Sequence, residues 1–290
     1  MEQRSFEIFT DSGCDISPAL LAEWGVTHAA LTFRFNGDER EYTNTEMPTK
    51  DFYQKMRNGG IAKTAAVNTE DFYTLFEGAL AKGKDVLYIG FSSGISNTYN
   101  AARIATEELR EKYPERKIFA IDTLTASAGE GLLVWFAAEK MREGATVEEI
   151  VAHIEAIRPS LCAWFTVDNL TYLKRGGRVS PTTALIGNAL HIKPVMHVDD
   201  NGKLIKVATA HGRKKSIAAL AAKYAETAKD KQNGCVFISH GDCLEDAEFL
   251  KNLLFEQCGV TVSLITDVGP VIGAHSGPGT LALFFVGNQR

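Results

Sequence analysis

The residues of this chain able to do chemistry gather in two short stretches. Ile272-Gly273-Ala274-His275-Ser276-Gly277-Pro278-Gly279 sets one imidazole among small and turn-forming residues, inside the otherwise apolar run from Val268 to Phe285. Gly and Pro specify backbone path rather than packing volume, so this run is read as bent to present His275 at a chosen spot. Gly90-Phe91-Ser92-Ser93-Gly94-Ile95-Ser96 ends an apolar run and opens a helix, where free backbone N–H groups favour anions. Together the two stretches predict a site for the oxygen end of a ligand. A plain helix cap would explain one of the serines, but not three of them with two glycines. Gly90-x-Ser92-x-Gly94 also fits the nucleophile-turn pattern in a strand–turn–helix context. Ser92 or Ser93 with His275 as base would then make a Ser/His acyl hydrolase, given an orienting acid and an oxyanion hole. A third reading, a protein that binds a small phosphate ester, uses the serine-rich helix start and Arg178. Neither the dinucleotide fingerprint nor the phosphate loop matches, so nucleotide binding is not supported.

The elements that must hold these residues alternate in type. Phe6 to Thr10, Val26 to Phe35, Asp85 to Gly90 and Lys117 to Ile121 read as strands. Helices begin at Pro18 behind the cap Ser17 and run over Pro48 to Arg57, from the cap Thr69, over Thr125 to Glu143 and over Thr146 to Ile157. Strands alternating with helices predict an α/β domain, a mostly parallel sheet flanked by helices, over residues 1–160. Arg158-Pro159 interrupts the helical pattern and places the boundary there. Residues 161–290 are expected as a mixed α+β domain. Lys193 to His197 and Lys203 to Ala208 flank Asp199-Asp200-Asn201-Gly202, an antiparallel hairpin signal because Asn-Gly tolerates positive φ. Further strands are expected at Cys162 to Val167, Cys235 to Ser239, Val260 to Ile265 and Thr280 to Val286. Several strand ends carry hydroxyls and carboxylates: Thr10-Asp11-Ser12, Lys63-Thr64 and Asp122-Thr123. Thr64 is the strongest of them, because Ile61 to Ala66 is short and apolar enough to be an inner strand edge.

Composition sets the limits. The chain has 290 residues, 45% apolar and 23% charged, with net charge −5, so nothing global favours nucleic acid or an anionic membrane surface. The five cysteines are scattered without a C-x-x-C pair, which fits a reducing cytosol better than disulfides or zinc. His191, His197, His211 and His240 lack a metal-binding rhythm, and no metal site is expected. The start, Met-Glu-Gln-Arg-Ser, has no apolar signal core, and no apolar stretch approaches the ~20 residues of a membrane span. A cytoplasmic protein without stable membrane insertion is expected. Lys174-Arg175-Arg178 and Arg213-Lys214-Lys215 are local basic clusters, the first beside a Gly-Gly turn.

At Ser92-Ser-Gly-Ile-Ser96, Leu173-Lys-Arg-Gly-Gly-Arg178-Val-Ser180, His191-Ile-Lys-Pro-Val195 and Gly269-Pro-Val-Ile-Gly-Ala-His275-Ser-Gly-Pro-Gly279 the chain resembles the DegV family. Thr10-Asp11-Ser12 agrees as well, and the resemblance runs from about residue 6 to 286. These are bacterial fatty-acid-binding proteins, the non-catalytic carriers of the fatty acid kinase system. The resemblance implies two α/β domains, a buried long-chain fatty acid as ligand, no cofactor, and a dihydroxyacetone-kinase-like fatty acid kinase as partner. Carried over, the carboxyl binders are Thr64, Ser93 and His275, with Gly94 offering a backbone N–H. Arg178 matches the arginine of the family's Gly-Gly-Arg motif, near the head group and the kinase-facing surface. One segment departs: the family's Thr-Ser-Gln-Pro-Ser after the lysine is here Thr64-Ala65-Ala66-Val67-Asn68. The division of labour is physically sound. Each buried methylene contributes about 0.8 kcal/mol, whereas a carboxylate is costly to bury without donors.

Overall fold

In the computed structural model, which describes residues 4–180 and 191–290, strands from the two halves of the chain enter different sheets. The first sheet holds β1 (Phe6–Asp11), β2 (Val26–Ala29), β6 (Asp85–Gly90) and β7 (Ile118–Asp122) in the order β2-β1-β6-β7, all parallel. Parallel sheets are covered on both faces, which is why Val86 to Gly90 reads as one continuous buried run. A small antiparallel sheet, order β4-β3-β5, joins β3 (Thr32–Phe35), β4 (Tyr42–Thr43) and β5 (Ala62–Ala65). The expectation of a single strand from Val26 to Phe35 is thereby corrected. The chain leaves the parallel sheet at Ala29, and Leu31 donates its N–H to Ser12 Oγ at 2.9 Å instead of to a neighbouring strand.

From Leu161 onward, β8 (Leu161–Thr166), β9 (Ile192–Val198), β10 (Leu204–His211), β11 (Val236–His240), β12 (Leu264–Asp267) and β13 (Leu281–Val286) form one mixed sheet, order β10-β9-β8-β13-β11-β12. Only β11 and β12 pair in parallel among them. The β9–β10 hairpin turns at the expected residues: Gly202 has φ +68° and donates its N–H to Asp199 O at 2.9 Å. β12 begins later than expected, because Val260 is packed into the core and pairing starts only at Leu264 opposite Phe237.

The helices are α1 (Pro18–Trp24), α2 (Thr49–Arg57), α3 (Thr69–Leu80), α4 (Thr98–Lys112), α5 (Ala128–Arg142), α6 (Val147–Ile157), α7 (Thr171–Arg175), α8 (Arg213–Thr227), α9 (Leu244–Cys258) and α10 (Pro270–Ser276). Ser17 caps α1 by accepting from Leu20 N, and Thr146 with Glu149 forms a capping box on α6. The cap of α3 is Asn68 rather than the expected Thr69; its Oδ1 accepts from Asp71 N at 2.8 Å. α5 lies between the two larger sheets, against β6 on one side and β8, β11 and β13 on the other. It is buried all round its first two turns, so glycines let it approach closely: a Cβ on Gly129 would sit 2.6 Å from the Phe284 ring. Leu132, Leu133, Phe165, Phe237 and Phe284 share this core. A second, aromatic core seats α2 to α4, with Phe33–Phe52 and Phe72–Tyr88 edge-on at 5.2 and 5.0 Å. No helix among the described residues is long and apolar enough to cross a membrane.

Candidate functional site

A cavity of about 240 Å³ opens where the mixed sheet faces β5, α10 and the serine loop. Its walls are mainly apolar: Phe165, Val198, Leu204, Ala282 and Phe284 from the mixed sheet face Leu31, Phe91, Ile95, Val271 and Ile272. Against this background three polar side chains stand out at one part of the lining: Thr64, His275 and Arg178.

Each is held by its own element. Thr64 sits on the edge strand β5 opposite Phe33, and its Oγ1 lies 2.7 Å from His275 Nε2. His275 ends α10, a helix that the glycines and proline had concealed. Pro270 at the first helical position suits the start of a helix, and Gly273 is required because Tyr53 comes so near; a Cβ there would be 2.5 Å from its hydroxyl. The segment is clamped from outside as well. Gly269 N–H donates to Asp15 Oδ1 at 2.9 Å, Val271 N–H to Asn44 Oδ1 at 2.8 Å, and Tyr53 O–H to Val268 O at 2.8 Å. On the far side of the imidazole lies Gly176, where a Cβ would come within 2.2 Å of Nδ1. Arg178 donates from Nε to Ile95 O at 3.3 Å and from its terminal nitrogen to Gly176 O, and has no acidic partner among the described residues. Burial, reinforced by the nearby Arg178 charge, pushes the His275 pKa down to about 4, so the ring is neutral at neutral pH. The wall thus offers one fixed positive charge, a neutral imidazole and a hydroxyl. That set suits one carboxylate or similar oxyanion.

The serine loop behaves otherwise, and Ser93 and Gly94 are not brought to the cavity with Thr64, His275 and Arg178. Neither lines the cavity; Ile95, Ser96 and Asn97 do. Every backbone N–H from Ser92 to Ser96 is already engaged. Ser92 donates to Thr125 O, Ser93 to the Asp122 carboxylate, Gly94 to Ser92 Oγ, and Ile95 and Ser96 both to Ser92 O. Gly94 therefore has no free N–H for a ligand, and Ser93 is exposed beside an acidic group unsuited to an anion. Ser92, the other nucleophile candidate, is buried and donates its hydroxyl to Gly202 O at 2.9 Å. The nitrogen His275 turns inward meets a threonine, not a serine. Ser96, one of the three serines of the turn but not among the expected carboxyl binders, shares a 2.9 Å hydrogen bond between its Oγ and Thr98 Oγ1. It stood in the quoted motif, but spacing alone does not tell which serine of a turn faces inward. Ser127, Ser239 and Ser276 also line the cavity and were equally hidden.

Comparison with known proteins meets this geometry. A model of the family described as "Uncharacterised protein, DegV family" matches residues 5–288. The chain belongs to the DegV family. A DegV domain-containing protein of Clostridium perfringens is 41% identical over 99% of both chains. Another from Lactococcus lactis is 32% identical, over 98% of this chain and 99% of its own. Among solved structures, a DegV family protein from Thermus thermophilus described for its fatty acid binding has a TM-score of 0.87 at 28% identity, covering 98% of this chain and 99% of that one. A DegV lipid-binding protein from Thermotoga maritima has a TM-score of 0.85 at 29% identity, with 99% of each chain covered. The α/β architecture, with its parallel and mixed sheets, is thus that of the DegV family. The segment that departs from the DegV pattern divides its duties: Thr64 and Ala66 line the cavity, Val67 is buried in the aromatic core, and Asn68 caps α3.

Proposed function

We propose that this protein is a fatty-acid carrier, burying a long acyl chain in the apolar cavity and holding its carboxylate at Thr64, His275, Arg178 and Ser96. The observation that carries this reading is Arg178: a guanidinium lining an apolar cavity with no acidic partner among the described residues. A half-buried cation is costly unless something answers it. A ligand carboxylate does so while its tail covers the apolar walls. The fatty-acid binding of the Thermus thermophilus relative supports the same assignment.

The chain binds and orients; it performs no chemistry on the acid. A separate fatty acid kinase of the dihydroxyacetone-kinase-like type acts on the presented carboxylate to form the acyl phosphate. A cytoplasmic location and a division into units near residue 160 belong to this reading. Ser93 and Gly94 serve it as the frame that sets Ser96.

Denaturing mass spectrometry of the purified protein tests the binding half. Long-chain acid is expected at close to one per chain. A phosphorylated metabolite in its place, or a covalent adduct on Ser93 after treatment with a serine-reactive phosphonate, overturns it. The kinase half is tested separately, by incubating the loaded protein with such a kinase and ATP. Acyl phosphate is the expected product, and its absence removes the partner while leaving the binding intact.

A further inference from the structure

The lining carries polar groups that a plain hydrocarbon tail leaves unanswered. Ser276 is 6% exposed, lines the cavity, and its Oγ has no hydrogen-bond partner among the described residues. Ser127 and Ser239 also line it, at 5% and 0% exposure, with their Oγ atoms 2.9 Å apart. Ser127 in turn donates to Asp15 Oδ2 at 2.5 Å, and the other Asp15 oxygen is taken by Gly269 N–H. This chain has a direction. With Asp15 ionised, which its pKa of about 7 reserves to the alkaline side of neutrality, the Ser127 proton goes to the carboxylate and the Ser239 proton to Ser127 Oγ. Ser239 then shows the cavity lone pairs only, while the Ser276 O–H is free to donate. Ser127 is also held at φ +56°, an unfavourable conformation for a residue with a side chain, so the backbone is strained to keep this hydroxyl where it is.

An unpaired hydroxyl in an apolar wall destabilises a protein that binds only hydrocarbon there. We infer that the cavity is built for an acyl chain bearing a hydrogen-bonding oxygen substituent, a hydroxy fatty acid, whose hydroxyl is received at Ser276 and at the Ser239–Ser127 pair. The inference rests on the fatty-acid reading above and adds a substrate class to it. A ligand hydroxyl both donates and accepts, so it can answer the lone pairs at Ser239 as well as the free O–H at Ser276. A site that pairs a substrate hydroxyl discriminates sharply against the analogue lacking it, because its own polar groups are then left alone.

The test measures affinities of delipidated protein for stearic acid and for hydroxystearic acids carrying the hydroxyl at different chain positions. Wild type is compared with Ser276→Ala and Ser239→Ala. The quantity read is the affinity for each hydroxy acid divided by that for stearic acid. In wild type, at least one positional isomer is expected to exceed the others by about tenfold in this ratio, and either substitution is expected to remove most of that preference. The second variant keeps the experiment decisive if the first fails to fold. The same ratio for every isomer in all three proteins, with stearic acid bound tightly, overturns the inference and spares the carrier. Failure of wild type to bind stearic acid or any isomer overturns both.

Discussion

The serine loop and the His275 segment look alike in the sequence, each a few small polar residues and glycines breaking an apolar run, yet they work in opposite senses. The loop closes on itself: five successive N–H groups find partners within the protein, and its tip lies against the β9–β10 turn. The His275 segment is satisfied along its backbone by outside clamps and leaves its side-chain functions facing a cavity. Hydrogen-bond completeness, rather than residue type, separates framework from binding surface. A polar group with every bond filled has nothing left for a ligand, and one whose bonds are unfilled inside the protein is waiting for something.

The sharpest way to break this contrast is at Arg178. Its replacement by alanine removes the cavity's fixed positive charge, and affinity for stearic acid is expected to fall roughly ten- to a hundredfold, the scale of a hydrogen bond to a charged group. A change below twofold by titration calorimetry would place the carboxylate elsewhere. A finer test compares two serines three residues apart. Ser96→Ala is expected to weaken the same affinity by about three- to tenfold, while Ser93→Ala leaves it unchanged within error. The reverse ranking would return the loop's exposed serine to the binding surface.

A separate effect, on stability rather than on affinity, concerns the clamp behind His275. Burial pushes the Asp15 carboxyl up to about 7, well above its unfolded value, despite the donors that hold it. Its contribution to stability is therefore fully present at pH values below the unfolded pKa and is lost as pH rises through 7. Asp15→Asn is expected to flatten this slope, so that the difference in melting temperature between variant and wild type shifts in the variant's favour from pH 4 to pH 7. A difference independent of pH would show that Asp15 does not titrate in this window.

Much of the fold was legible because it rests on periodicity. The buried run Asp85 to Gly90, the Asn201-Gly202 turn and the capped helix behind Thr146 each follow from local rules, and the structure has them where those rules put them. What could not be read depends on distant partners. Val26 to Phe35 divides because Ser12 intercepts one amide. Pro270 to Ser276 coils into a helix despite two poor helix formers, because Tyr53, Asp15 and Asn44 grip it from other elements. The site was legible by residue type and only partly by position. Thr64, His275 and Arg178 meet in the cavity lining, but nothing in a row of serines marks which one turns inward. The buried acids Asp15 and Glu130 were equally silent, and Asp11 was read only as a strand end, since an acidic residue in a sequence gives no sign of its depth.

The bare Cα of Gly176 has one more effect. With that backbone pressed against one edge of the imidazole and the threonine hydroxyl against the other, the ring has nowhere to swing. Its aim is fixed when the chain folds, not when a guest arrives, so docking forfeits no torsional freedom at this residue. The grip on an incoming acid is set in advance by an atom that is missing from a neighbour.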